Sequence, residues 1–303
     1  MLNVLEYVSA PKTPSWTRLL AIDPAKRRVS EHPEIAFGAL AWEDRGMLGF
    51  FERRRREAIR SRPFPPEWRA IIDRNVPYCG RLSPEDREEL EGHIQVLLAE
   101  KTFEGCGGLE LTDTIKVTIA AQACILLLHR DTDYYPDLDV ILVYPSTYVA
   151  RGARAAEGGI VVDDAQVRLG ESWTRGVVVL AWDSVLSGAA DMRDGHNLVL
   201  HEFAHQLDQE SGDVDGAPAL PRRGMYTAWA RVLSKDYEKL VGDDARGRRT
   251  VIDTYGATNP AEFFAVVTET FFEKPLQLRA RHPDLYEQLK LFYQQDPAGA
   301  ERP

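Results

Sequence analysis

The sequence predicts an α+β fold that is predominantly helical and carries a small β-sheet. Segments with the helical period of apolar residues dominate both halves of the chain, whereas short β-branched runs are confined to its middle. The chain shows no internal repeat and no low-complexity tract. An order of helices, a few strands and then more helices is typical of the α+β class.

Composition excludes some functions. The 303 residues carry a formal net charge of −10, so we expect no nucleic-acid binding through the overall field of the protein. The three cysteines, Cys79, Cys106 and Cys124, form no CxxC pair and suggest reduced thiols in a cytoplasmic protein. The N-terminus lacks the pattern of a secretory signal, and the longest apolar stretch, residues 119–128, is too short for a membrane span.

The beginning of the chain differs from the rest. Residues 1–46 show no sustained periodicity, and we expect a poorly packed extension followed by a single domain over residues 47–303. Met47 is therefore a candidate for the true start of the protein. The arginine run at residues 53–56 is interpreted as a solvated helix face, with a docking patch for an acidic partner as the alternative.

The first strong helix signal is "SPEDREEL", in which Ser83 is a typical N-cap and Pro84 occupies the first helical position. The pattern predicts that this helix continues through Phe103 and ends near Gly105 and Gly107. A second, largely apolar helix begins at Thr112 or Asp113. It belongs in the core because most of its faces are apolar.

Three strands and four helices follow. The predicted strands lie in "DLDVILVYPSTYV", "GIVVDDAQVRLG" and "RGVVVLAWDSVLSG". The last strand is either an exposed edge that could bind an extended peptide or an interior strand. The predicted helices lie in "LVLHEFAHQLDQ", over residues 226–241, in "NPAEFFAVVTETFFEKP" and in "HPDLYEQLKLFYQQDP".

The segment "HEFAH" matches the H-E-x-x-H pattern. On a helix, His201 and His205 stack on one face, where both imidazoles can bind one zinc ion and Glu202 can reach a water molecule on it. The competing interpretation is a pair of buried, hydrogen-bonded histidines. Asn197 and Asp208 lie on the same polar stripe and are candidates for orienting an imidazole, or for ordinary capping. The opposite stripe is apolar and can anchor the helix in the core: Leu200, Phe203, Ala204 and Leu207.

Two histidines make an incomplete zinc site, so a third ligand is needed. A metzincin would have glycine at position 208 and histidine at position 211, where this chain has Asp208 and Ser211, so that class is excluded. Asp213 and Asp215 lie in a loop rich in glycine and proline, which is unsuited to a rigid zinc site. His282 precedes a proline at a helix start and is expected to cap that helix or to be exposed.

Glu262 is the best candidate for the third ligand. It lies in the first turn of an apolar helix that must pack in the core, where its carboxylate can face the metal helix. A capping-box glutamate is the alternative interpretation. Glu269 and Glu273 share part of that face and are expected to be hydrogen-bonding or solvent-exposed groups.

Long blocks in one order resemble the Mlc titration factor, or glucose-regulated metallopeptidase, family. The blocks are "GHIQVLLAEKTFEGCGGLELTD", "KVTIAAQACILLL", "VILVYPSTYV", "HEFAHQLDQESGD" and "NPAEFFAVVTETFF", and the resemblance covers nearly everything after Met47. The resemblance implies a zincin-like metallopeptidase domain of the gluzincin type, similar in its zinc site to the catalytic domain of anthrax lethal factor. It also implies aminopeptidase activity on small peptide substrates.

The resemblance assigns roles to particular residues. It implies His201, His205 and Glu262 as ligands of one zinc ion per chain, Glu202 as the catalytic carboxylate and Tyr255 as a hydrogen-bond donor to the transition state. A loop aromatic that only packs is the alternative for Tyr255. The family also suggests a competing function, in which the protein is a regulatory module that sequesters a transcriptional repressor of sugar uptake. A purely structural zinc site is disfavoured because such sites usually have four protein ligands, often cysteines.

Overall fold

A computed structural model describes residues 41–147 and 176–300, and the described part is mostly helical with one small sheet. This confirms the predicted α+β class. The strands are β1 (Thr102–Gly105), β2 (Val140–Tyr144) and β3 (Val177–Ala181). The helices are α1 (Ala41–Arg60), α2 (Pro66–Asn75), α3 (Pro84–Glu100), α4 (Asp113–Ile125), α5 (Trp182–Ala190), α6 (Leu198–Gln209), α7 (Tyr226–Asp244), α8 (Pro260–Glu273), α9 (Pro275–Arg281), α10 (Pro283–Tyr293) and α11 (Pro297–Ala300). Within the same described ranges, 3₁₀ helices cover Pro77–Arg81, Arg223–Met225 and Thr254–Ala257.

The sheet is parallel, with β2 between β1 and β3. Val140 of β2 is opposite Thr102 of β1 and Val177 of β3. Within the described residues β3 pairs on one side only, and Val179 is 46% exposed there. This geometry fits the edge interpretation of β3 better than the interior one.

The predicted helix through Phe103 is wrong at its C-terminal end. Helix α3 ends at Glu100, and residues 102–105 form the strand β1. The backbone N–H of Thr102 donates to the carbonyl oxygen of Asp139 at 3.0 Å, so the segment joins the sheet instead of continuing the helix. Pairing with a distant strand overrides the local helical preference here.

The predicted strand in "RGVVVLAWDSVLSG" is correct only for its first half, because β3 ends at Ala181 and α5 begins at Trp182. Burial of Val185, Gly188 and Ala189 follows the helical period, which the preceding β-branched run concealed. The predicted strand in "GIVVDDAQVRLG" lies outside the described residues. Helix α1 begins at Ala41 and runs across Met47, and the division of the chain at residue 46 remains a prediction.

Helix α8 lies at the centre of the core. Every residue of α8 after Pro260 is buried. Phe271 stacks on Tyr293 of α10 with ring centroids 5.7 Å apart, and Phe264 contacts Trp229 of α7 at 5.9 Å. Burying each such aromatic ring stabilises the fold by roughly 1.5–3 kcal/mol. The surrounding aromatic rings therefore fix the acidic residues of α8 in position.

The arginine run is only partly a solvated face. The side chains at residues 53–55 are exposed, as predicted, whereas Arg56 is half-buried and joins α1 to α3 and to the loop that follows α4. Its guanidinium donates to both carboxylate oxygens of Glu100 on α3 at 3.0 Å and to Asp133 at 3.1 Å. It also lies 4.9 Å from the ring centroid of Tyr134. Arg56 therefore attaches α1 to the rest of the domain.

The cysteines are free thiols: Cys79 and Cys124 are buried and Cys106 is partly exposed. Burial raises the pKa of the Cys79 thiol to about 12, so it stays protonated at neutral pH. Among the described residues, no helix has the length and apolar character needed to cross a membrane.

We predict that Arg56→Ala lowers the free energy of unfolding by about 2 kcal/mol, because it removes charge-assisted hydrogen bonds from partly buried carboxylates. Arg54→Ala is the matched control and should change it by less than about 0.5 kcal/mol, because this side chain is exposed. Urea unfolding followed by circular dichroism measures both. Equal effects of the two substitutions would contradict a bridging role for Arg56.

Candidate metal centre

Helix α6 carries the H-E-x-x-H segment and is fixed at its start and along its back. The side chain of Asn197 caps the helix by accepting a hydrogen bond from the backbone N–H of Leu200 at 3.0 Å. The apolar stripe is buried, as predicted, and Phe203 packs edge-on against Tyr135 with ring centroids 4.8 Å apart. The helix therefore presents its polar face from a rigid support.

Both histidines lie on one buried face of α6. The Nε2 atoms of His201 and His205 are 3.3 Å apart, and the two rings meet edge to face. Two imidazole nitrogens at this distance repel each other unless a proton or a cation lies between them. The facing nitrogens are thus suited to share one cation.

Helix α8 brings Glu262 to the same point. Asn259 caps this helix by accepting from the backbone N–H of Glu262 at 3.0 Å, and Pro260 is its first residue. The Glu262 carboxylate is fully buried, and its Oε2 atom lies 3.1 Å from Nε2 of His201 and 3.5 Å from Nε2 of His205. The side chain therefore faces the imidazoles, as the third-ligand interpretation requires.

The donor set fits a divalent cation. One ligand atom from each of His201, His205 and Glu262 lies within 4.8 Å of the other two, and two imidazole nitrogens with one carboxylate oxygen are typical ligands of zinc. The Oε1 atoms of Glu202 and Glu262 are buried and have no hydrogen-bond partner in the part of the chain that the structure describes. Unsatisfied carboxylate oxygens beside converging donors are what a site for an ion and its water would leave.

A second group of possible ligands is less suitable. Asp86, Glu89 and His129 also lie close together, but they are partly exposed. Nε2 of His129 faces Asp86 at 3.1 Å while Nδ1 faces Glu89 at 3.4 Å. Each ring nitrogen thus has its own carboxylate, which is the arrangement of a surface ion-pair cluster.

Protonation of the buried site is set by competing effects. Burial alone would lower the pKa of His201, but its hydrogen bonds to Glu262 and Glu269 raise it to about 10. Burial would raise the pKa of Glu262, yet the same hydrogen bonds with His201 and His205 lower it to about 2. Glu262 is therefore an anion, the form that binds a metal.

Glu202 has a different environment. It is buried beside His201 and Glu262, and burial raises its pKa to about 8. The charge of His201 opposes this shift, and the charges of Glu262 and Glu269 add to it. A carboxyl group whose pKa lies near neutral pH can both accept and return a proton.

Glu269, expected to be a hydrogen-bonding or solvent-exposed group, is hydrogen-bonded and contacts the outer side of an imidazole, a partner that was not predicted. Its Oε1 atom is 2.7 Å from Nδ1 of His201, and its Oε2 atom accepts from the backbone N–H of Asn197 at 2.5 Å. The available signal was its position two helical turns after Glu262, on the same face of α8. A carboxylate at this nitrogen fixes the tautomer and orientation of the ring.

The two residues predicted to orient an imidazole have other contacts. Asn197 caps α6, and it reaches the site through the hydrogen bond from its backbone to Glu269. Oδ2 of Asp208 accepts from the backbone N–H of Gly216 at 2.7 Å. The Asp208 carboxylate thus binds the loop that follows α6, and its predicted role in orienting an imidazole stays a prediction.

Tyr255 lies at the rim of the site. It belongs to the 3₁₀ helix Thr254–Ala257, which Asp253 caps by accepting from the backbone N–H of Tyr255 at 2.7 Å. The Tyr255 ring centroid is 6.0 Å from that of His201, and the residue is 39% exposed. Burial, together with the charges of Glu262 and Glu202, raises its pKa to about 12, so the hydroxyl remains a donor.

The rejected candidates lie elsewhere. His282 was expected to cap its helix or to be exposed, but it is buried and its side chain makes no capping hydrogen bond. Its Nδ1 atom is instead 2.7 Å from a carboxylate oxygen of Asp236. Asp213 is exposed and Asp215 half-buried in the loop after α6, and neither belongs to a group that could hold a metal among the described residues.

Comparison with known proteins agrees with the geometry. A model of the glucose-regulated metallo-peptidase M90 family matches residues 50–294. An uncharacterized protein of Synechocystis sp. is 44% identical over 244 residues, which is 80% of this chain and 89% of that protein.

Several relatives carry the name Mlc titration factor A, and two of them serve as examples. The protein from Klebsiella pneumoniae is 34% identical over 73% of this chain and 84% of its own length. The protein from Serratia proteamaculans is 35% identical over 71% of this chain and 84% of its own length. The chain belongs to the glucose-regulated metallo-peptidase family M90.

Proposed function

We propose that this chain is a zinc-dependent peptidase with one ion per chain, held by His201, His205 and Glu262. The observation that carries the proposal is the convergence of the two Nε2 atoms and the Glu262 carboxylate at one buried point. Membership of a metallopeptidase family supports a catalytic role for this point. Three protein ligands are also the number found in catalytic zinc sites, whereas structural sites usually have four.

Each neighbouring side chain has a task in peptide hydrolysis. Zinc, when bound, acts as a Lewis acid that polarises the scissile carbonyl and lowers the pKa of water to about 7. Glu202 removes the proton from the attacking water and returns it to the leaving amine. Tyr255 donates a hydrogen bond to the carbonyl oxygen as negative charge develops on it. Glu269 holds the ring of His201 in the tautomer whose Nε2 is free to bind.

The finer assignment is an aminopeptidase-like enzyme that acts on peptides or proteins in the cytoplasm. It follows from the resemblance to the family and from the cysteine usage. The exposed face of Tyr255 marks where a substrate would enter beside the buried ligands.

A second function should be tested because several relatives are named Mlc titration factor A. In that case the chain is a regulatory module that binds a repressor-like partner, and the peptidase site is secondary. The two functions differ in their need for Glu202, since a binding module does not use its proton transfer.

We predict that Glu202→Gln retains one zinc ion per chain and loses at least about 100-fold in kcat, because the general base is removed while the ligands stay. Metal analysis and an assay on aminoacyl anilides and peptides, both on one preparation, measure the two effects. A variant with wild-type activity would reject the peptidase mechanism. A wild-type protein that binds zinc and cleaves nothing would favour the regulatory module.

We predict that Glu262→Ala loses zinc at concentrations that saturate the wild type, because only two ligands remain. Asp284→Ala is a matched control, since Asp284 is also a first-turn acid after a proline at the helix start but is exposed on α10. Zinc titration against a chelator measures the difference. Normal zinc binding by Glu262→Ala would show that Glu262 is not the third ligand.

We predict that Tyr255→Phe binds zinc normally and lowers kcat by about 100-fold, with a smaller change in KM, because the hydroxyl acts mainly in the transition state. Tyr237→Phe is the control, because it removes a hydroxyl that donates to the carbonyl oxygen of Ala257 in the same turn. If both variants lose the same activity, the effect comes from the packing of the turn and not from the Tyr255 hydroxyl.

A further inference from the structure

Gly216 lies where three helices meet the loop that follows α6. Its backbone N–H donates to Oδ2 of Asp208 at 2.7 Å, and its carbonyl oxygen accepts from Nε1 of Trp229 on α7 at 3.1 Å. Asp208, Gly216 and Trp229 are all buried. The loop is therefore attached to the metal helix on one side and to α7 on the other.

The third contact of Gly216 is with the helix that carries Glu262. A Cβ atom at position 216 would lie 2.4 Å from the carbonyl oxygen of Pro260 and 3.0 Å from its carbonyl carbon. Pro260 is the first residue of α8, two residues before Glu262. No side chain can occupy this space unless the first turn of α8 moves away. The positive φ of 79° at Gly216 also favours glycine.

The two helices that carry the proposed ligands are thus joined at both ends of their contact. Asn197, just before α6, is bound to Glu269 by a backbone hydrogen bond. In the last turn of α6, Asp208 is linked through Gly216 to the first residue of α8. Small changes in the separation of α6 and α8 would move Glu262 relative to the imidazoles.

We propose that Gly216, held by Asp208, is a positioning residue that sets the distance between Glu262 and the two histidines, and hence the affinity of the site for metal. The proposal rests on the proposed zinc site and assigns a role to the loop between its helices. It gives Asp208 a task at the site even though its carboxylate does not contact an imidazole.

The test compares Gly216→Ala with Gly212→Ala. Gly212 also has a positive φ, of 98°, but a Cβ atom there would meet nothing within 4 Å. Both variants carry the backbone strain, and only Gly216→Ala displaces α8. We expect Gly216→Ala to bind zinc about 10- to 100-fold more weakly than Gly212→Ala. The visible absorption of the Co²⁺-substituted protein should also change, because it reports ligand geometry.

A second pair of variants covers the case in which Gly216→Ala fails to fold. Asp208→Asn keeps a carbonyl oxygen for the Gly216 N–H and should retain zinc affinity, whereas Asp208→Ala should lose about 10-fold. Equal zinc affinities of Gly216→Ala and Gly212→Ala or, where Gly216→Ala does not fold, of Asp208→Asn and Asp208→Ala, with a zinc-binding wild type, would overturn the positioning role alone. A folded wild type that binds no zinc would overturn this role and the proposed function together.

Discussion

The buried contact between Glu262 and the two imidazoles is the constraint on which the rest of the site depends. An isolated carboxylate is costly to bury, and two imidazole nitrogens that face each other repel. Each group is tolerable only because the others are present, so α6 and α8 must meet in one arrangement. The aromatic packing around α8 supplies the rigidity that this arrangement requires.

The carboxylates around the site have different roles because each has a different position and different neighbours. Glu262 faces the imidazoles, Glu269 holds the outer nitrogen of His201, and Glu202 has no hydrogen-bond partner at its Oε1 atom within the described ranges. Similar side chains thus have different protonation because burial and charged neighbours differ at each position. In such a site, geometry and electrostatics cannot be changed independently.

Local features of the sequence predicted the part of the site that one helix contains. The spacing of His201 and His205 predicts that both imidazoles lie on one face of the helix, because residues four apart share a helix face. Glu262 could be predicted as a ligand from its position in the first turn of an apolar helix. Glu269 was expected only to form hydrogen bonds or to be exposed, because no motif in the sequence pairs it with His201, although it lies on the same face of α8 as Glu262. Strand β1 escaped prediction because its stability comes from pairing with β2.

The proposed ligands are distributed unevenly along the chain, and their spacing constrains the order in which the proposed site can form. Two of them lie four residues apart on α6, whereas Glu262 follows His201 by 61 positions in the sequence. A nascent or unfolded chain can therefore offer a metal only a two-histidine half site, and closing the long loop between the helices has an entropic cost. Firm capture of the ion must follow the docking of α8 on α6. At the proposed site, metal loading would thus be a late step of folding, and a bound ion would stabilise the docked state against reopening.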